Sequence, residues 1–177
     1  MSTISPGFRV RIALGSNLGD PPEAVAHGWA AVCSTLSLQA ARLSRVIASD
    51  PAEGATGGTF ANAVGVGYTS LDAHDCLAAL LGIERAFGRD RAREGYHGAR
   101  PLDLDLLDWN GAVMHTPTLH LPHPRSHGRL FVLAPWAELE PNWACAVCGV
   151  EVARLTRLCR DGAPLTCLAA DAAEAQR

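Results

Sequence analysis

Residues 102–106 read Leu-Asp-Leu-Asp-Leu, a strict alternation of apolar and acidic side chains that suits one backbone. In an extended strand, positions i and i+2 share a face. Leu102, Leu104 and Leu106 then turn toward a core, while Asp103 and Asp105 emerge together from the opposite side. Two carboxylates side by side repel each other unless something cationic lies between them. Such a pair is a hard-oxygen ligand set of the kind Mg²⁺ takes, with substrate phosphates completing the shell. A solvated polar strand face would show the same alternation, so the pattern alone leaves both readings open.

Other periodicities place this strand in a fold. Residues 8–14 alternate Phe8, Val10, Ile12 and Leu14 against Arg9 and Arg11, which predicts a half-buried strand ending at Gly15-Ser16-Asn17. Asp20-Pro21-Pro22-Glu23 supplies a cap, a proline for the first turn and an early acid. The helix it opens has Val25, Trp29, Val32, Cys33 and Leu36 at helical spacing. A weaker strand is expected over 38–48, then a Gly-containing loop from Asp50 to Thr59. Phe60–Thr69 alternates again, with Phe60, Asn62, Val64, Val66 and Tyr68 on one face. Residues 72–87 read as a second helix, capped by Asp72, with Cys76, Leu80, Ile83 and Phe87 inward. Asp108-Trp109-Asn110-Gly111 signals a hairpin with a short return strand. Helices are expected over 127–139, with Leu130, Leu133, Ala134 and Ala137 as the inner stripe, and over 150–159. The order β-α-β-β-α-β predicts an α+β, ferredoxin-like sandwich. Its antiparallel sheet has helices packed on it, with additions at the C-terminal end. The 177 residues fit a single domain, with the final dozen expected to fray.

Charge narrows the chemistry. The 15 basic residues are all arginine, so a Walker A loop and every Schiff-base lysine mechanism are excluded. A net charge of −3 argues against a partner bound through polyanion neutralisation, so no nucleic acid is expected. No apolar run reaches the length of a membrane span, and Met1–Pro6 lacks the pattern of a signal peptide; a cytoplasmic protein is expected. Arg85, Arg89, Arg91, Arg93 and Arg100 lie within sixteen residues just ahead of the acid pair, several times the density of random placement. Arginines on a Gly-containing loop beside a metal-binding carboxylate pair are what phosphoryl transfer requires, because they neutralise nonbridging oxygens. A solvated basic loop is the alternative.

His115, His120, His123 and His127 cluster among Arg125 and Arg129. A zinc site, a phosphate-binding loop and ordinary surface histidines all fit that spacing, although Pro122 and Pro124 oppose a helix presenting metal ligands. Of six cysteines, Cys33 and Cys76 fall on apolar helix faces and read as small core residues. Cys145-Ala-Val-Cys148 has metal or redox spacing, with Cys159 and Cys167 downstream, but lacks a strand-to-helix context.

Five blocks between about residues 9 and 141 resemble the 6-hydroxymethyl-7,8-dihydropterin pyrophosphokinases of folate biosynthesis, in order and spacing. They are Ala13-Leu-Gly-Ser-Asn-Leu-Gly-Asp20, Phe60-Ala-Asn-Ala-Val64, Ile83-Glu-Arg-Ala-Phe-Gly-Arg89, Gly98-Ala-Arg-Pro-Leu-Asp-Leu-Asp-Leu-Leu107, and Leu121-Pro-His-Pro124 with Arg129-Leu-Phe-Val-Leu-Ala-Pro135. The resemblance implies transfer of pyrophosphate from ATP to the pterin hydroxymethyl group, with release of AMP. It implies two Mg²⁺ ions held by Asp103 and Asp105, and Arg89 and Arg100 as catalytic arginines. Arg91, Leu106, His123 and Arg129 would bind ATP. Ser49, Asp50, Ala52, Phe60, Asn62 and Phe131 would bind the pterin, the two phenylalanines stacking on its faces, with Glu84 nearby. The substrates would be ATP and 6-hydroxymethyl-7,8-dihydropterin, and a monomer is expected. This chain departs from the family pattern at Tyr96-His97, where an arginine and a tryptophan are usual, and at Ser49-Asp50-Pro51. Those changes motivate two alternatives: a paralogue with altered pterin preference, or a non-catalytic pterin- or nucleotide-binding regulator. A zinc-dependent hydrolase is the remote third reading.

Overall fold

The computed structural model describes residues 7–51, 58–89 and 99–160. Strand β1 (Phe8–Ser16) lies at the centre, hydrogen-bonded antiparallel to β4 (Phe60–Thr69) on one side and β5 (Asp103–Trp109) on the other. Two shorter strands, β2 (Gln39–Leu43) and β3 (Ile47–Ser49), both pair with β4. The sheet order β2-β4-β1-β5 is the antiparallel order of a ferredoxin-like sandwich.

Helices α1 (Pro21–Thr35) and α2 (Ala73–Ala86) cover one face of the sheet. Both begin where expected: Asp20 accepts a hydrogen bond from the Glu23 amide at 3.1 Å, and Asp72 from the Asp75 amide at 2.8 Å. Their apolar faces meet Val10, Ile12, Leu14, Leu102, Leu104 and Leu106 in one core. Burying a leucine there stabilises the fold by roughly 1.5–3 kcal/mol. A Cβ on Gly65 would lie 2.2 Å from Cζ3 of Trp29, so glycine on β4 lets α1 lay an indole flat on the sheet. Burial pushes the Cys76 thiol up to about 12, with Asp72 and Asp75 adding to it, so this thiol is an inert core group.

Helices α3 (Leu130–Leu139) and α4 (Val152–Arg160) cover half of the opposite face and build a second core there. That core contains Ala13, Val64, Val66, Leu107, Leu133 and Trp136. β1 is therefore buried on both sides rather than half-buried, and the Arg9–Arg11 side is roofed by Glu140 and Trp143.

Four further expectations are corrected. The strand expected over 38–48 is two strands, broken at residues 44–46, where the Ser44 hydroxyl accepts from the Val64 amide at 3.0 Å and the Arg45 amide turns away to Glu138 at 3.2 Å. The return strand after Asn110-Gly111 does not pair with β5. Instead β6 (Met114–His115) pairs with β7 (His120–Leu121), and just past β7 the His123 amide donates to Leu107 O of β5 at 2.9 Å. The stripe of α3 is Val132, Leu133 and Trp136, while Leu130 is 37% exposed; both flanks of the helix are apolar, so periodicity alone misses its rotation. Finally, a 3-10 turn over Ser126–Gly128 replaces the first helical residues expected there. No helix among the described residues is long and apolar enough to cross a membrane. The chain's last residues, from 161 on, fall outside the described residues.

Candidate active site

The uncovered part of the second sheet face lies at the end of β1. Gly15 pairs with Asn62 on β4 and with Asp103 on β5, and it places no side chain between them. A Cβ there would sit 3.4 Å from Oδ1 of Asn62 and 4.0 Å from Cβ of Asp103. Asp105 stands opposite Ala13, one pleat along on the same face as Asp103. Gly15, Asn62, Asp103, Asp105, Arg129 and Phe131 line a common depression of about 30 Å³. The alternation thus delivers both carboxylates to one opening, as expected.

Arginines grip Asp103 from one side. Arg89, just past α2, pairs with its Oδ1, and Arg100 Nη1 lies 2.6 Å from Oδ2. Burial opposes ionisation of Asp103, but the two guanidinium groups outweigh it and hold the carboxyl below the usual carboxylate range. Two groups hold this arrangement from behind. Glu84 of α2 is 1% exposed; its Oε1 accepts from Arg89 and from the Leu104 amide at 2.8 Å. Asn17 pairs with the Arg100 backbone twice, accepting from its amide at 2.7 Å and donating its own amide to its carbonyl at 3.1 Å. Sequence patterning assigns Asn17 no role, yet it lies just past the end of β1 and is 4% exposed.

Asp105 is approached differently. His123 Nε2 and Arg129 Nη1 stand 3.8 Å from its two oxygens, beyond hydrogen-bond reach. Burial pulls the His123 imidazole below its ordinary value; Asp105 opposes this and Arg129 and Arg125 add to it. Nδ1 accepts from the Arg125 amide at 3.2 Å, so Nε2 carries a proton and faces Asp105.

On the other half of the opening, Asn62 donates from Nδ2 to Ser49 Oγ at 2.9 Å, and Ser49 pairs with Phe60 across β3 and β4. Phe131 begins α3 with Arg129 above its ring, 5.7 Å from the centroid. Phe60 lines a neighbouring groove with Pro21, Pro22 and Ile47. Asp50 is exposed beside Ser49. Leu106 belongs to the core under α1 and α2, so only its backbone is available to a ligand. Ala52, Arg91, Arg93, Tyr96, His97 and Cys167 lie outside the described residues.

Among the described residues, no three His, Cys, Asp or Glu side chains gather into a metal-holding group. That disfavours zinc: His120 stacks edge-on against His115, while His123 faces Asp105. The donor set is two carboxylates with room for oxygen ligands, which fits a hard cation that takes most of its shell from phosphate and water. Cys145 is buried and Cys148 is disulfide-bonded, but the two are not bonded to each other.

A carboxylate pair flanked on both sides by cations, on the open face of a ferredoxin-like sheet, suits phosphoryl-group transfer. The family model described as 7,8-dihydro-6-hydroxymethylpterin-pyrophosphokinase matches residues 11–141. The chain belongs to this family, and its activity is pyrophosphate transfer in folate biosynthesis. The 2-amino-4-hydroxy-6-hydroxymethyldihydropteridine pyrophosphokinase of Pseudomonas aeruginosa is 37% identical over 134 residues, covering 76% of this chain and 82% of that one. The Bacillus subtilis protein of the same name is 36% identical, covering 72% and 75%. Plasmodium falciparum HPPK-DHPS, solved with pteroate, superposes with a TM-score of 0.67 at 11% identity. It matches 88% of this chain, which spans only 43% of that longer one, and the likeness concerns the fold alone.

Proposed function

We propose that this chain, acting as a single domain, transfers pyrophosphate from ATP to the hydroxymethyl oxygen of 6-hydroxymethyl-7,8-dihydropterin in a Mg²⁺-dependent reaction. The observation that carries this reading is the division of labour around Asp103 and Asp105, with Arg89 and Arg100 on one side and His123 and Arg129 on the other. Asp103 and Asp105 would hold two Mg²⁺ ions, which would supply positive charge to neutralise the phosphate oxygens. Arg129 and His123 bind the triphosphate, and Arg100 stabilises charge that grows in the transition state.

Asn62 reads the pterin edge, because its amide both donates and accepts and its plane is fixed by Ser49. Phe131 and Phe60 supply flat apolar surface for the ring. Gly15 keeps the strip between pterin and phosphate clear of side chains. No residue acts as a covalent nucleophile; the pterin oxygen bonds to the β-phosphorus and loses its proton to water as the bond from that phosphorus to the AMP oxygen breaks.

The test is product analysis with ATP, Mg²⁺ and the pterin alcohol. AMP should form one-for-one with pterin pyrophosphate, and chelation by EDTA should stop it. ADP as product, or AMP formed without the pterin, would refute the reading.

A further inference from the structure

The carboxylate behind the site is unusual for its position. Glu84 falls on the buried stripe of α2, with Leu80 and Ile83, where an apolar side chain would pack without cost. It is 1% exposed and touches neither the depression nor solvent. Its Oε1 serves two partners belonging to the acid pair: the Leu104 amide, which lies between Asp103 and Asp105 in sequence, and the guanidinium of Arg89. Arg89 is itself only 7% exposed and donates to both Glu84 and Asp103.

That geometry poses a charge problem for any cation approaching Asp103. Both oxygens of Asp103 are held, Oδ1 by Arg89 and Oδ2 by the more exposed Arg100, so an ion that takes Oδ1 competes with Arg89, and a buried guanidinium deprived of its counter-charge is strongly destabilising. We propose that Glu84 is a positioning residue that retains Arg89 and so frees Asp103 for metal, while its bond to Leu104 keeps the acid pair in register. The inference rests on the metal-site reading above and assigns Glu84 no contact with substrate.

The test uses Mn²⁺ alone as probe, counted as free ion by electron paramagnetic resonance. In Glu84→Gln the amide oxygen can still accept from Leu104, but the charge that holds Arg89 is gone. Measured at a temperature where the variant remains folded, Mn²⁺ binding should weaken about tenfold or more, because an unrelieved charge conflict is worth at least this factor. In steady-state assays kcat should fall while KM for the pterin stays constant. The double variant Glu84→Gln/Arg89→Gln should recover Mn²⁺ affinity to within about threefold of wild type, the competing cation being absent, although turnover stays low. Should Glu84→Gln not fold, Arg89→Gln alone must bind Mn²⁺ more tightly than wild type. Equal Mn²⁺ affinity in Glu84→Gln and wild type, or no recovery in the double variant, overturns the proposal. Undiminished Mn²⁺ binding in Asp103→Asn overturns instead the metal assignment beneath it.

Discussion

β1 and β5 carry an arginine–carboxylate cluster at each end, and the two are built to opposite purposes. At the start of β1, Arg9 reaches Glu140 at 2.7 Å, Arg11 reaches the other Glu140 oxygen at 2.6 Å, and Arg11 meets Asp108 at 2.5 Å. Tyr68 and Trp143 lie against the two guanidinium groups. At the far end, Asp103 is held by arginines, but the cations facing Asp105 stand back at 3.8 Å beside a depression. The first cluster is a lock whose charges answer each other within the protein, fastening the end of α3 to the sheet. The second leaves charge for something that arrives. Residue type does not separate them; spacing and access do.

Asp105→Ala should show the largest difference. Turnover should drop about a thousandfold, equivalent to ~4 kcal/mol of barrier, while the melting temperature moves little. Activity within about tenfold of wild type, ~1.4 kcal/mol, would remove the distinction between the two clusters. Arg11→Met attacks the lock instead. Asp108 is fully buried and one of its oxygens, Oδ1, lacks a partner, so losing Arg11 leaves a buried charge exposed to its full penalty. Denaturant titration should show a loss of about 3 kcal/mol, with activity per folded molecule preserved.

Arg100→Ala sharpens the contrast from the open side. Turnover at saturating substrate should fall about a hundredfold with nucleotide affinity nearly unchanged, since the charge it meets grows during the reaction. A raised ATP dissociation constant with intact turnover would make Arg100 a ground-state binder. Phe131→Ala should weaken pterin binding by about 1–2 kcal/mol and ATP binding less, measured by separate titrations. Equal losses would mean α3 itself had loosened.

The smallest effect concerns acid. Burial opposes ionisation of Glu140, but Arg11 and Arg9 outweigh it and hold its carboxyl below the usual range. Stability from a carboxyl lowered in the folded state is present above its unfolded value and lost as pH falls through the folded one. The gap in melting temperature between wild type and Glu140→Gln should therefore be widest near pH 7 and close as pH drops below about 4. A gap independent of pH would assign Glu140 a packing role only.

What could be read from the sequence divides along the same line. Caps at Asp20 and Asp72, the leucine face of β5 and the acid pair depend on neighbours a few residues apart, and local patterns report them well. The lock was not legible. It needs the bulge opposite Arg11 and Ile12, which lets Leu107 and Asp108 both follow Asp105 onto the α3 side, and strict alternation would have sent Asp108 to the other face. Glu140 joins from 129 residues away. The rotation of α3 escaped for a related reason, since apolar residues on several sides leave periodicity nothing to discriminate. His123 was singled out by its cluster, yet only the chain's return to Leu107 aims it at Asp105.

Gly15 has a consequence for substrate choice. Asn62 and Asp103 flank it on adjacent strands, so their backbones are separated by two peptide hydrogen-bond spacings, roughly 10 Å in all. No side-chain rotamer sets that interval, and no substitution on the strands can stretch it. On the proposed reading, the sheet measures its alcohol like a caliper, one jaw on the heterocycle and the other on the phosphate being received. An alcohol whose hydroxyl sits one carbon further from the ring should fit either jaw but not both, and so bind without reacting.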